Sequence, residues 1–155
     1  MPLNLDWIAG FTEGEGTFTF HQHYNNTTVN GERVYYFNPM PTFQISQKHR
    51  EVLDEICVYF EEKGIHGKVY HRNYIKGNGE GAWEYRVVGK DNCLKIAKLL
   101  TPFMHVPHKI KQAEGWIRKI LMIQQMLALG LDPYKQDRDE SFQLAGVVDP
   151  TEYEK

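Results

Sequence analysis

The sequence has few cysteines and no long apolar segment. Its only two cysteines, Cys57 and Cys93, lack the CxxC spacing of a zinc site, so we expect two reduced thiols in the core. No run of about 20 apolar residues could cross a bilayer, and no basic-then-apolar leader opens the chain. These absences argue against a membrane protein and a disulfide-rich secreted domain. They predict an intracellular domain, in the cytoplasm, the nucleoid or an organelle.

The charge is unevenly distributed along the chain. The net charge is only −2, but residues 67–127 carry eleven basic and four acidic side chains, and residues 132–155 carry three basic and seven acidic ones. The basic segment is expected to meet phosphates, because phosphate neutralisation dominates the affinity for nucleic acids. We therefore predict a nucleic-acid-binding domain over residues 1–131. Residues 132–155 would form an acidic, helical C-terminal extension of the same domain.

The most informative segment is IAGFTEGEG, residues 8–16. It predicts the end of a short apolar helix with two carboxylates, Glu13 and Glu15, set between glycines. Acids are disfavoured there because the C-terminal end of a helix carries partial negative charge. A divalent cation at this tip would offset that charge. Gly10 and Gly14 lie four residues apart, which leaves a face where a second helix backbone could approach closely.

The hydrophobic periodicity predicts an α+β domain with helices on one face of an antiparallel sheet. In chain order we expect a helix at 3–15, a strand at 17–26, a connection at 25–33, a strand at 34–47, a helix at 48–63, strands at 68–76 and 82–88, and helices at 91–100, 107–129 and 136–148. The other face of the sheet would be polar and aromatic, as suits β-ribbons laid in the major groove of DNA. The predicted DNA contacts are His21, His23, Asn25, Arg33, Gln44, Lys68, Tyr70, Arg72, Tyr74, Glu84 and Arg86.

Residues 8–16 resemble the signature of the LAGLIDADG homing endonuclease family, with Glu in place of both Asp residues. The resemblance implies the family's αββαββα fold, in which the antiparallel sheet forms a DNA-binding saddle. Because the chain carries one such motif, it also implies a homodimer whose twofold axis runs between the two motif helices. The expected dimer interface contains Trp7, Ile8, Gly10, Phe11 and Gly14.

The resemblance further implies a catalytic site. Glu15 would bind Mg²⁺ together with the carbonyl of Gly14, and Mn²⁺ or Ca²⁺ could substitute in binding. Gln47 would organise the attacking water, and Lys109 matches the family's catalytic lysine, with Lys111 as the alternative. Arg50 loosely matches a family arginine that follows this strand end, which makes it a further expected DNA contact. The expected activity is a metal-dependent double-strand break in a long pseudopalindromic DNA target.

Two alternatives remain open at this point. Relatives of this fold include RNA maturases that assist group I intron splicing, and a basic aromatic sheet also suits intron RNA. A DNA-binding regulator on the same scaffold would bind without cutting. Leu144–Asp149 repeats the first six positions of the motif, but Pro150 breaks it, so we predict only a C-terminal helix there.

Overall fold

A computed structural model describes residues 3–21, 24–37, 40–72 and 81–133. The chain divides into two compact units: Met1–Thr19 with Pro41–Ile120, and Phe20–Met40 with Leu121–Lys155. Within the described residues there are four α-helices and six strands. In chain order they are α1 (Leu5–Glu15), β1 (Gly16–His21), β2 (Tyr24–Val29), β3 (Glu32–Phe37), β4 (Met40–Gln47), α2 (Arg50–Glu62), β5 (Lys68–Arg72), β6 (Ala82–Val88), α3 (Lys90–Leu100) and α4 (Pro107–Ala128).

The first unit is built on a four-stranded antiparallel sheet in the order β1-β4-β6-β5. Its register places Gln44 of β4, Arg86 of β6 and Lys68 of β5 in one row across the strands. Since successive side chains of a strand point to opposite faces, this register separates an apolar face from a polar one. The predicted α+β fold is confirmed.

The core lies between the apolar sheet face and the helices. Phe43, Ile45 and Tyr85 from the central strands are fully buried. The helices contribute apolar residues at helical spacing, which lets one stripe of each helix face the sheet. Their buried side chains include Ile8, Ala9, Leu53, Ile56, Phe60, Ile96, Ala97, Leu100, Trp116 and Ile120.

The second unit contains the β2–β3 hairpin. Val29 pairs with Glu32, so the turn is only Asn30–Gly31. Both turn residues have positive φ, 52° and 82°, which is the requirement of a type I′ turn and the reason for the Asn-Gly sequence. The prediction of a connection over residues 25–33 was therefore wrong except at this turn, since residues 25–29 belong to β2 and residues 32–33 belong to β3.

Two further predictions can be compared with the structure. The helix predicted at 91–100 is α3, which begins at Lys90 because Gly89 takes the cap position with a φ of 100°. Cys57 and Cys93 are free thiols as predicted, and burial raises the pKa of Cys93 to about 12. The second part of the strand predicted at 68–76 and the helix predicted at 136–148 fall on residues outside the described ones.

Gly67 allows the chain to pass close to the most buried aromatic residue of the sheet. Tyr85 stacks on Phe60 with ring centroids 6.1 Å apart. A Cβ at Gly67 would lie 2.6 Å from the Tyr85 ring and 2.7 Å from its hydroxyl oxygen. A glycine is therefore required here by packing.

We expect Gly67→Ala to lower the free energy of unfolding by about 1–3 kcal/mol, because the added methyl overpacks a rigid core. The matched control is Gly115→Ala in α4, where the nearest atom to an added Cβ is 4.0 Å away. That variant should gain about 0.5–1 kcal/mol, because alanine is the better helix former. Urea unfolding followed by circular dichroism measures both, and a shift of both midpoints in the same direction would contradict the packing argument.

Candidate functional site

Helix α1 runs directly into strand β1 without a connecting residue. Asn4 begins the helix, since its side chain accepts a hydrogen bond from the backbone N–H of Trp7 at 2.9 Å. Gly16 ends it, and its N–H donates to the carbonyl of Thr12. A Cβ at Gly16 would lie 2.7 Å from the Thr12 side chain, so only glycine allows this sharp exit. Glu15 is thus fixed at the junction of helix and sheet.

Glu13 holds the start of α4. Its carboxylate accepts hydrogen bonds from the backbone N–H groups of His105, at 2.9 Å, and of Val106. Val106 immediately precedes α4, and its carbonyl accepts the hydrogen bond from the N–H of Ile110. A carboxylate here satisfies free amide donors and lies at the positive end of the helix dipole. Glu13 is therefore structural and pairs within its own chain.

Lys109 holds the end of α1 in return. Its Nζ donates a hydrogen bond of 2.6 Å to the carbonyl of Gly16. No basic residue of α1 lies in its own last turn, so Lys109 supplies the positive charge that the helix end favours. The lysine named by the family resemblance is thus brought to the end of the motif, 93 residues away in sequence. The structure gives no such contact for the exposed Lys111.

Glu15 and Gly14 are exposed at the tip of α1. Among the described residues, no hydrogen bond or ion pair engages the Glu15 carboxylate. No cluster of three or more His, Cys, Asp or Glu side chains occurs in the described part of the chain. One protomer therefore offers a single uncommitted carboxylate and a neighbouring backbone carbonyl, which are hard oxygen donors.

Gln47 is the last residue of β4 and lies at the same end of the sheet as the first residue of β1, because β1 and β4 are adjacent antiparallel strands. It lies opposite Trp83 of β6. The guanidinium of Arg50 lies 4.7 Å from the Trp83 ring centroid and pairs with Asp54 at 3.0 Å. The sequence reasoning missed Trp83, although strand alternation in β6 places it in the row of Gln47.

The polar face of the sheet carries several of the predicted DNA contacts. Lys68, Tyr70 and Arg72 of β5 are exposed, while Gln44 and Arg86 are partly buried. Glu84 differs, since its side chain is only 1% exposed and pairs with Arg72 and Arg86. The prediction of Glu84 as an exposed contact was wrong, because strand alternation gives the face of a side chain and not its depth.

The remaining predicted contacts lie in the second unit or outside the described residues. His21 ends β1, and Arg33 is exposed on β3. Asn25 lies on β2, where it pairs with Tyr36. His23 and Tyr74 lie outside the described residues. Their roles in DNA binding stay predictions.

One face of α1 is apolar and exposed. Trp7 is 38% exposed and stacks on Phe11 with ring centroids 5.0 Å apart. Gly10 and Gly14 lie on the same exposed face, and within the described residues no atom lies within 4 Å of a Cβ added at either. Ile8, which was predicted for the dimer interface, is fully buried in the protomer's own core. That assignment was wrong, because Ile8 lies on the opposite side of the helix.

The two motif acids should respond differently to substitution. We expect Glu13→Ala to lower the free energy of unfolding by about 1–2 kcal/mol, because it leaves the amides at the start of α4 without their acceptor. Glu15→Gln should change it by no more than about 0.5 kcal/mol, as is usual for an exposed position. Urea unfolding of the two variants measures this contrast. Equal losses would contradict the division of roles.

Comparisons with known proteins agree with this geometry. A model of the LAGLIDADG endonuclease family matches residues 8–120. No curated protein is similar enough to count as a match. Among the described residues, none of the helices combines the length and apolar character that a bilayer-spanning segment needs.

Solved structures of homing endonucleases share the fold. I-CvuI, solved with a DNA target in the presence of Mg, is 18% identical with a TM-score of 0.60, over 79% of this chain and 68% of that one. I-TnaI is 24% identical with a TM-score of 0.60, over 81% and 76% of the two chains. The archaeal intron-encoded I-Vdi141I, complexed with DNA, is 23% identical with a TM-score of 0.57, over 94% and 84%. With its motif at the junction of α1 and β1 and the family match over most of its length, the chain belongs to the LAGLIDADG endonuclease family.

Proposed function

We propose that this protein is a site-specific homing endonuclease that makes a metal-dependent double-strand break in a long pseudopalindromic DNA target. The observation that carries the proposal is the location of Glu15 and Lys109, two residues of opposite charge. An uncommitted carboxylate and an anchored ammonium group lie at the same end of α1. This arrangement suits a scissile phosphate, because Glu15 offers oxygen donors to a metal ion. The ammonium group of Lys109 can contact the phosphate itself.

The donors at the tip of α1 fit a hard divalent cation. Mg²⁺ prefers oxygen ligands, keeps several waters and takes few ligands from the protein, so the Glu15 carboxylate and the Gly14 carbonyl are a suitable contribution. When bound, the ion supplies an activated water and charge stabilisation for the leaving oxygen. Structures of I-CvuI were obtained in the presence of Mg and of Ca, which supports a divalent ion and the exchange of one for another.

The chain's own residues would position the phosphate and the water. Lys109 cannot swing freely, because its ammonium is held on the Gly16 carbonyl, so its charge is preorganised for the developing negative charge on the phosphate. Gln47, at the adjacent strand end, offers an amide that can accept from and donate to a water molecule. Arg50 lies on the first turn of the following helix, where its stacking on Trp83 fixes its orientation near the same edge.

Glycine usage in α1 supports a homodimer. Glycine inside a helix is less favourable than alanine by about 0.5–1 kcal/mol. Among the described residues of the protomer, neither Gly10 nor Gly14 has a positive φ or a close neighbour that would require it. Close approach of a second copy of α1 would supply the reason for both glycines, and this packing would bring two Glu15 carboxylates together. A twofold dimer would read the two halves of a pseudopalindromic target.

The contrast between Glu13 and Glu15 favours an endonuclease over a binding protein without catalysis. Glu13 has a structural reason to be acidic, since it holds the start of α4. Glu15 has none, because its charge lies exposed at the unfavourable end of a helix dipole. A maturase or a regulator on this scaffold would need only the first of the two acids. The division into residues 1–131 and an acidic extension from 132 stays a prediction.

We expect Glu15→Gln to lower DNA cleavage by at least about 10³-fold while leaving DNA affinity intact, because it removes a ligand whose ion contributes several kcal/mol of charge stabilisation. A random duplex library incubated with the protein and Mg²⁺, followed by sequencing of the broken ends, measures cleavage. Glu51→Gln, an exposed acid of α2, is the matched control. No discrete cuts by the wild-type protein, together with tight binding to structured RNA or to one duplex, would overturn the endonuclease and favour the maturase or the regulator.

We expect Gly10→Gln to convert the dimer to a monomer, because a long side chain keeps the two α1 backbones apart. The fold should be retained, since Gly10 is open to solvent in the protomer. Sedimentation equilibrium of the wild type, Gly10→Gln and the control Gly115→Gln measures the association. A wild-type protein that stays monomeric both alone and on its DNA target would contradict the proposed dimer.

A further inference from the structure

A buried carboxylate lies on the polar face of the sheet. Glu84 is in β6, with Tyr70 of β5 on one side and Ser46 of β4 on the other. Its side chain is 1% exposed, whereas Tyr70 and Ser46 on either side of it are exposed. Burying a charge is costly unless it is paired and hydrogen-bonded, so the position of Glu84 depends on its partners.

Two arginines converge on one oxygen of this carboxylate. The Nε of Arg72 lies 3.1 Å from Oε2 of Glu84, and the Nη2 of Arg86 lies 2.8 Å from the same atom. Arg86 also lies over the ring of Tyr70, with its Cζ 5.3 Å from the centroid. Without the carboxylate, two like charges would be held close together. Glu84 is therefore the group that fixes the orientation of both guanidinium groups.

The two arginines differ in which of their N–H groups are available to a ligand. Arg86 is 26% exposed, and its Nε is buried without a hydrogen-bond partner among the described residues. Arg72 is 47% exposed and is held only by its Nε. In the described part of the chain, its two terminal nitrogens have no other partner. They form the fork of parallel N–H groups that matches O6 and N7 of guanine in the major groove.

The local charge favours a base over a phosphate as the ligand of Arg72. An arginine that contacts a phosphate is most effective when its charge is uncompensated. Here the Glu84 carboxylate offsets part of the charge and would repel a nearby phosphate. A guanidinium group that is oriented and partly neutralised is suited to hydrogen bonds with the edge of a base, and such contacts specify sequence. Phosphate contacts position the protein on the DNA.

We propose that Arg72 reads one guanine in each half of the DNA target and that Glu84 is the residue that positions it. The inference rests on the proposed DNA recognition by the sheet. It assigns to Glu84 a role in sequence specificity without direct contact to DNA. Because the side chain is ordered before binding, less conformational entropy is lost when the base is contacted.

The experiment is a binding selection on random duplex DNA in the presence of EDTA, which separates recognition from cleavage. The proteins are the wild type, Arg72→Lys, Arg72→Ala, Glu84→Gln, the double variant of Arg72→Lys with Glu84→Gln, and the control Glu51→Gln. Dissociation constants are then measured on the selected site, and on sites with each other base at the guanine, over a series of salt concentrations.

Arg72→Lys should reduce the preference for guanine at one position per half-site by roughly ten- to a hundredfold, because lysine keeps the charge and loses the bidentate fork. Glu84→Gln should reduce it at the same position by roughly two- to tenfold, as expected for one side chain that is no longer preorganised. The double variant should match Arg72→Lys alone, since the two residues act as one unit. The salt dependence of Arg72→Lys should stay that of the wild type, because the substitution conserves the charge.

Several results would overturn the inference. If Arg72→Ala weakens binding to all sequences equally and lowers the salt slope by about one, Arg72 contacts a phosphate. Unchanged base preference in Arg72→Lys overturns the inference alone, whereas a wild type without sequence-selective DNA binding overturns the proposed function as well. If Glu84→Gln does not fold, the Arg72 Nε–H signal in the NMR spectrum of the wild type tests whether Glu84 positions Arg72. Exchange of this proton with water as fast as in free arginine would exclude the positioning role.

Discussion

The site depends on a reciprocal contact between two helix ends. The carboxylate of Glu13, from the end of α1, accepts hydrogen bonds from the backbone amides at the start of α4. The ammonium of Lys109, from the start of α4, donates to the carbonyl that ends α1. Each helix thus supplies the charge that the dipole of the other favours. Since the two groups hold the same junction from both sides, the tip of α1 is fixed, and Glu15 projects from a rigid support.

Three carboxylates of this protein have different roles because their surroundings differ. Glu13 is committed to backbone amides, and Glu84 is buried under two arginines. Glu15 alone is exposed and uncommitted, which leaves it available for an ion. The same logic separates the basic residues, since Lys109 is anchored on the carbonyl of Gly16 while Lys68 is exposed on β5. In the proposed function, catalysis would take place at the end of the sheet near α1, and recognition would use the polar face of the same unit.

Much of the fold followed from local patterns. Alternation identified strands β1 and β4 and their apolar face, whereas much of the β2–β3 hairpin, which turns at Asn30–Gly31, was predicted as a connection. The assignments of Ile8 and Glu84 were wrong for a common reason. Periodicity states which residues share a face, but the depth of a side chain depends on what packs around it. Ile8 is buried in the protomer's own core. Glu84 is buried and paired with Arg72 and Arg86.

The sequence alone determined the local elements, the order of helices and strands and the motif with its two acids and its unusual glycines. These features follow from interactions between residues close in the chain. Only the tertiary structure decided that Lys109 meets Gly16, that Glu13 holds the start of α4 and that Arg72 shares an oxygen of Glu84 with Arg86. Such contacts join separate elements through the register of the sheet and the packing of helices. No pattern within a single segment carries that information, which is why the commitment of each charged group became visible only in the folded chain.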